Sequence, residues 1–167
     1  MQQENELCDI GFIGLGVMGK NLVLNLADNG HFIAAFDLNC EKIDEVIAQD
    51  LEEQMAIDKK NCKKRVFGCS SYTQLLSQLK SPHLIVLSVP AGEPVDQVCE
   101  NLIGAGIQPD DIVIDTGNSL WVDTVAREAK YKSNFILFSS AVSGGEEGAR
   151  FGPALMPSGS PYAWSRI

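Results

Sequence analysis

Cys8-Asp-Ile-Gly-Phe-Ile13-Gly14-Leu15-Gly16-Val17-Met18-Gly19-Lys20 is the stretch from which the rest of the chain can be read. The apolar run Cys8–Ile13 has the length of a buried strand, and Met18–Asn29 carries apolar residues at helical spacing. Between them the glycines follow the pattern Gly-x-Gly-x-x-Gly. In a strand-to-helix context Gly14 permits the tight turn, Gly16 lets backbone approach a pyrophosphate, and Gly19 allows close packing of helix on strand. Leu15, Val17 and Met18 complete the loop, whose free N–H groups and helix dipole favour phosphate. Asp37, eighteen residues beyond Gly19, ends the next apolar run, where a carboxylate can accept hydrogen bonds from a ribose hydroxyl. Two other readings share the pattern: glycines that serve only a sharp turn, and an adenosylmethionine site. No later feature supports a methyltransferase.

Working outward, short apolar runs alternate with segments of helical period, the pattern of a parallel sheet with crossover helices. Six strands are expected, at Cys8–Ile13, Phe32–Phe36, a weak Arg65–Phe67, Leu84–Val89, Ile112–Asp115 and Phe135–Ala141. Helices are expected at Met18–Asn29, Cys40–Gln54, Tyr72–Leu79, Pro94–Ile103 and Trp121–Tyr131, with Gly30, Ser71 and Pro94 as end signals. The polar stretch Gln49–Lys64 fits either an extension of the second helix or an excursion before the third strand. After Glu147 no period is clear, and the tail reads as the edge of a domain. The expected fold is one α/β domain over residues 1–167, a doubly wound (Rossmann), mostly parallel sheet of order 3-2-1-4-5-6.

Composition narrows the partners. With 22 acidic against 13 basic residues the net charge is −9, which disfavours nucleic acid, whose phosphates demand clustered Lys and Arg. The one basic run, Lys59, Lys60, Lys63, Lys64 and Arg65, reads as a solvated helix face or loop. Five cysteines, odd in number and without CxxC spacing, suggest neither a disulfide framework nor a zinc site, and no metal is expected. Met1–Leu7 lacks the pattern of a signal peptide, and no apolar run nears the roughly twenty residues that span a bilayer. A cytoplasmic protein without a membrane partner is the expectation.

Ile13-Gly-Leu-Gly-Val-Met-Gly-Lys-Asn-Leu22 resembles the opening of the β-hydroxyacid dehydrogenases. Asp115-Thr-Gly-Asn-Ser119 with Asp123-Thr124, and above all Val142-Ser-Gly-Gly-Glu-Glu-Gly-Ala-Arg-Phe-Gly-Pro-Ala-Leu-Met-Pro157, resemble the 6-phosphogluconate dehydrogenase family more narrowly. That resemblance implies a cofactor of the NADP type, a sugar acid phosphate as substrate, and a homodimeric full-length enzyme that oxidatively decarboxylates 6-phosphogluconate to ribulose 5-phosphate. It implies that Gly14–Gly19 hold the pyrophosphate and that Val89, Pro90 and Ala91 line the adenine and nicotinamide side. Asn118 would touch both cofactor and substrate, and Ser143, Gly144 and Gly145 would bind the sugar acid. Each of these stretches directly follows an expected strand, at the carboxyl edge where open α/β sheets bind ligands. The blander alternatives are a helix cap at Asn118-Ser119 before Trp121 and a plain turn at Ser143-Gly-Gly.

Neighbouring Glu146 and Glu147 point in different directions on a helix, so they read as favourable charge at a helix start rather than as an acid/base pair. His31 and His83 lack a nearby carboxylate in sequence and read as surface or strand-edge residues.

The chain also departs from the family pattern. Where the family has Asn-Arg-Thr, its arginine clamping a 2′-phosphate, Asp37-Leu38-Asn39 stands here, and Pro90 replaces a lysine. Asp37 would repel a phosphate dianion and suit a free 2′-hydroxyl, so NAD is favoured locally. The catalytic lysine and nearby histidine of the family lie in a segment beyond Ile167, ahead of a helical dimerisation domain, and match no residue of this chain. No catalytic residue is therefore expected here, and the chain alone should bind cofactor without turnover. The rival expectations are a stand-alone, non-catalytic dinucleotide-binding module and a hydroxyacid dehydrogenase of the hydroxyisobutyrate type.

Overall fold

The computed structural model describes residues 7–57 and 62–167. Its sheet has the order β3-β2-β1-β4-β5-β6-β7. The strands are β1 (Ile10–Ile13), β2 (Ile33–Phe36), β3 (Val66–Gly68), β4 (Leu84–Leu87), β5 (Ile112–Asp115), β6 (Ile136–Ser143) and β7 (Ala154–Ser158). The first six pair in parallel in the expected order, and β7 is added antiparallel to β6. The connecting helices are α1 (Val17–Asp28), α2 (Cys40–Ile57), α3 (Tyr72–Ser77), α4 (Glu93–Ala105), α5 (Trp121–Tyr131), α6 (Gly145–Phe151) and α7 (Pro161–Trp164).

Alternation along the strands divides the core into layers, because successive side chains of a strand point to opposite faces. Phe12, Ile33, Ala35 and Val66 turn to one face and meet Leu22, Val23 and Ala27 of α1 with Ile43 and Val46 of α2. Ile13, Ala34, Phe36, Ile85, Leu87 and Val113 turn to the other, against Leu75 and Leu76 of α3, Val98 and Leu102 of α4 and Tyr131 of α5. Both faces are covered, so the central strands read as unbroken apolar runs. Each fully buried side chain such as Phe12 contributes about 1.5–3 kcal/mol.

Local signals set the helix starts. Ser71 caps α3, its Oγ accepting the Gln74 amide at 3.1 Å, and a proline stands in the first turn of α4. The ambiguous stretch after Gln49 resolves in part as helix, since α2 runs to Ile57. Asp50 anchors it: the buried carboxylate accepts from Gln54 Nε2 at 2.6 Å and from the Arg65 amide at 3.2 Å, tying α2 to the segment that enters β3.

Several expectations need correction. The chain leaves the sheet after Leu87, not Val89, because Ser88 and Val89 turn away at the carboxyl edge. Conversely β6 runs on to Ser143, held past Ala141 by β7. The tail is ordered as α6, β7 and α7; β7 escapes pattern reading because all five residues are exposed and Pro157, tolerated on an edge strand, interrupts it. The described part of the basic run takes the loop form of its two readings, with Lys63 and Lys64 exposed: Lys63 Nζ lies 4.5 Å from the centre of the Phe32 ring, Lys64 Nζ 5.3 Å from that of Phe67, and Arg65 Nη1 donates to the Gly30 carbonyl at 2.7 Å. Lys59 and Lys60 lie outside the described residues. His83 does have a carboxylate partner, brought by the fold rather than by sequence. Its Nδ1 lies 2.9 Å from Asp111 Oδ2, and Asp111 also accepts the His83 and Gln108 amides, fastening the starts of β4 and β5.

All five cysteines are free. Burial pushes the thiols of Cys8 up to about 11 and of Cys69 and Cys99 up to about 12, with Asp9, Cys8 and Asp96 respectively adding to the rise. The thiolate is the reactive form, so these three should resist alkylation at neutral pH in the folded chain. Mass spectrometry after iodoacetamide treatment should find adducts only at the exposed Cys40 and half-buried Cys62, and at all five positions after unfolding. Rapid labelling of Cys99 in the folded chain would contradict the packing of α4.

Candidate functional site

The site begins where β1 hands over to α1. Gly14 has φ +96°, a conformation that glycine alone adopts cheaply, and a Cβ there would overlap the Ser88 carbonyl of the neighbouring strand end. A Cβ on Gly19 would overlap the Gly14 carbonyl, so α1 can lie this close to the sheet only with a bare α-carbon at that position. Gly16 is different. Its backbone, φ −63° and ψ −176°, suits any residue, and a Cβ would meet nothing within 4 Å. The protein itself does not require glycine at this position.

Around that opening lies a cleft of about 570 Å³ at the carboxyl edge of the sheet. Gly16, Val17, Met18 and Gly19 form one wall, Val89 and Pro90 a second, and Asn118 with Ser143, Gly144 and Gly145 a third. Ten of the residues singled out in the sequence thus converge. Ser88, Thr116, Gly117, Leu22 and Val142 complete the lining and escaped sequence reasoning. Thr116 and Gly117 lie inside the Asp115–Ser119 block, and Leu22 and Val142 stand at the ends of the Ile13–Leu22 and Val142–Pro157 stretches; those positions were the available signal.

Gly14 and Leu15 sit beneath the cleft wall rather than on it, and Ala91 lies just past Pro90. Asp37 and Leu38 line a separate crevice of about 660 Å³ beyond the end of β2, shared with Lys64 and Ser70, and Asn39 is not in its lining. Asp37 does more than the sequence suggested. Its Oδ2 accepts the Leu15 amide at 2.7 Å and its Oδ1 the Asn39 amide at 2.9 Å, so one carboxylate, 12% exposed, pins the glycine loop to the turn after β2. Lys42 Nζ is 3.9 Å away. A carboxylate offers about four lone-pair sites, and two are left for a ligand hydroxyl. Leu38, at the position of the family's arginine, is 90% exposed.

The third wall is built by Asp115, only 2% exposed at the end of β5. Its Oδ1 accepts the Gly117 amide at 2.9 Å and its Oδ2 the Ser119 hydroxyl at 2.6 Å, shaping the turn that presents Asn118. Ser119 is therefore committed to Asp115, and the cap of α5 is Leu120 without a side-chain bond, so the helix-cap reading of Asn118-Ser119 does not hold. The side chains of Asn118 and Ser143 are exposed and make no hydrogen bond among the described residues. Gly144 caps α6, Glu146 and Glu147 lie in its first turn, and Glu146 Oε1 accepts from Asn21 Nδ2 of α1 at 3.4 Å.

The electrostatics of the cleft are those of a binding surface. The first turn of α1 holds no acidic residue and its N-terminus no side-chain cap, so the orphan N–H groups of that turn face the opening. None of the fifteen lining residues carries a titratable side chain. Among the described residues no cluster of three His, Cys, Asp or Glu could hold a metal ion, and no helix is long and apolar enough to cross a membrane. A dinucleotide fits this donor set: bare space over Gly16, unpaired N–H groups below it, and a carboxylate beyond.

The comparisons point the same way. The family described as the NAD binding domain of 6-phosphogluconate dehydrogenase matches residues 9–167. The chain is 41% identical over 165 residues to the decarboxylating 6-phosphogluconate dehydrogenase of Schizosaccharomyces pombe, covering 98% of this chain and 31% of that protein, and 42% identical over 160 residues to the human enzyme. It thus spans about a third of the length of these relatives. Among solved structures, Plasmodium falciparum 6-phosphogluconate dehydrogenase, determined without ligand, with NADP+ and with 6-phosphogluconate, superposes with a TM-score of 0.83 at 35% identity over 95% of this chain and 32% of that one. A 3-hydroxyisobutyrate dehydrogenase of Mycobacterium tuberculosis shares the fold, with a TM-score of 0.76 at 23% identity.

The three glycines should separate cleanly by mutation. Gly19→Ala forces the helix off the sheet and should cost about 1–3 kcal/mol of stability, whereas Gly16→Ala should cost less than about 1 kcal/mol. Urea denaturation midpoints measure both, and equal losses would show that Gly16 too is required by packing.

Proposed function

The chain belongs to the family of NAD-binding domains of 6-phosphogluconate dehydrogenase, and from that premise we propose that it is the dinucleotide-binding part of an enzyme that oxidatively decarboxylates 6-phosphogluconate to ribulose 5-phosphate. One observation carries the binding role: Gly16 is bare although its backbone and surroundings would accept a side chain. That vacancy suits a pyrophosphate resting on the amides of α1. Gly14 and Gly19 set the turn, with Leu15, Val17 and Met18 supplying the rest of the loop. When bound there, such a cofactor would supply the hydride acceptor for oxidation of the sugar acid.

The chain's own residues hold and orient. Val89, Pro90 and Ala91 flank the dinucleotide on the β4 side. Asn118, with a donor and an acceptor on one amide, bridges dinucleotide and sugar acid, and Ser143 with the Gly144 and Gly145 amides offers donors to the carboxylate and hydroxyls of the substrate. A cleft without a titratable side chain has no group to take a hydroxyl proton, so binding without turnover is the property expected of this chain. Relatives about three times as long leave room for a base, a phosphate site and a dimer interface elsewhere in a full-length, homodimeric enzyme. Free, buried thiols fit a reducing, cytoplasmic setting.

The preferred dinucleotide is NAD. Exposed Leu38 offers no cation to a 2′-phosphate, and the Asp37 carboxylate beside it repels one while accepting a 2′-hydroxyl. Calorimetric titration of the chain with NAD and NADP at matched ionic strength tests both levels. NAD should bind tighter, and Leu38→Arg should improve NADP binding by about tenfold through a charge-assisted contact. Tighter NADP binding by the unaltered chain would shift the 2′-phosphate to Lys42 and Lys64, and binding of neither would sink the dinucleotide reading.

A further inference from the structure

We infer that Arg127, which lies outside the cleft lining, is a positioning residue that fixes the turn between β4 and α4 against which the nicotinamide half of the dinucleotide lies. The inference rests on the dinucleotide reading above.

The turn itself is sparsely held. Its first fixed point is the Ser88 amide, which donates to the Ile13 carbonyl at 2.8 Å. From there Val89 and Pro90 run along the cleft and Ala91 follows them, none with a backbone hydrogen bond of its own among the described residues, and Pro90 has no N–H to offer. The second fixed point is the carbonyl of Gly92, a residue at φ +97° that caps α4 without a side chain. That carbonyl accepts the Val95 amide at 3.1 Å and Arg127 Nη2 at 3.0 Å.

Arg127 reaches it from α5. The guanidinium also grips the first turn of α4 through Asp96, whose Oδ2 accepts from Nε at 3.0 Å and from Nη2 at 2.8 Å. The hydrogen bond from Arg127 is the main reason that Asp96 is held below the ordinary carboxylate range. A planar fork with several fixed donors is needed to hold a carbonyl and a carboxylate together, and a lysine ammonium cannot copy it. Because α5 directly follows the Asp115–Ser119 turn, the same side chain sets the spacing of two cleft walls, Val89–Pro90 and Asn118.

Stability alone accounts poorly for this arrangement. Arg127 is only 7% exposed, and its Nη1 is buried with no hydrogen-bond partner. A buried cation with an unmet donor is a weak stabiliser. What it secures is the position of the Gly92 carbonyl. Tyr131 provides the control, since its hydroxyl lies 3.0 Å from Asp96 Oδ1 and 3.1 Å from Glu100 Oε1 in the same network without touching Gly92.

The test compares dissociation constants for the tighter-binding dinucleotide and for ADP, which reaches the glycine loop but not the nicotinamide side. Arg127→Lys should weaken dinucleotide binding by about tenfold while changing ADP affinity by less than about twofold. Gly92→Ala probes the turn without disturbing the ion pair, for its Cβ would meet nothing within 4 Å but disfavours the positive φ, and it should show the same selective loss. Tyr131→Phe should lower the melting temperature and leave the ratio of the two affinities unchanged. Unaltered dinucleotide binding in Arg127→Lys or Gly92→Ala overturns the inference, as does an equal loss for ADP or the same selective loss in Tyr131→Phe. An unaltered chain that binds neither ligand overturns the dinucleotide reading itself, and this inference with it.

Discussion

The approach of Gly19 to the Gly14 carbonyl is the constraint on which the arrangement depends. With no side chain on either residue, α1 settles against the end of β1 and beside Ser88 of the next strand, and its amides open onto the sheet's carboxyl edge. A helix lifted by even one methyl group would carry that amide cluster away from the walls formed by Pro90, Asn118 and Ser143. Asp37 locks the result from the other side by holding the Leu15 amide. Two features distant in sequence, a bare α-carbon and a carboxylate, thus fix one loop.

Much of this could be read in the chain because the relevant forces are local. The strand-to-helix handover at Gly14–Gly19, the order of the first six strands and the cap at Ser71 follow from periodicity, turn chemistry and the crossover rule. What could not be read depends on contacts across the fold. Nothing near His83 in sequence announces Asp111, and nothing in Ala154–Ser158 announces a strand, because its pairing is decided by β6. Asp37 was legible as a carboxylate at a strand end but not as the acceptor of the Leu15 amide, since the loop's closure upon it is a tertiary event. Residues of the cleft were legible to the extent that they stood in motifs with a polar group to offer: Asn118 and Ser143 were found, and Ser88, inside an expected strand, was not.

The cleft keeps recognition apart from chemistry. Its walls supply amide dipoles, the Asn118 carboxamide and the hydroxyls of Ser88, Thr116 and Ser143, and no group that changes charge near neutral pH. Such a surface presents the same set of donors across the physiological range.

The last strand bears on how such a site can diversify. β6 and β7 pair up to Ser143 and Ala154, so residues 144–153, including all of α6, leave the sheet and return to it at a single rung of the ladder. This segment is therefore a pinched loop whose ends are fixed by the sheet, whatever lies between them. Lengthening such a loop adds only about 0.6 kcal/mol of closure entropy for each doubling. Within this architecture the segment behaves as an exchangeable cassette: its contents can drift or be transplanted while the scaffold beneath it keeps its register.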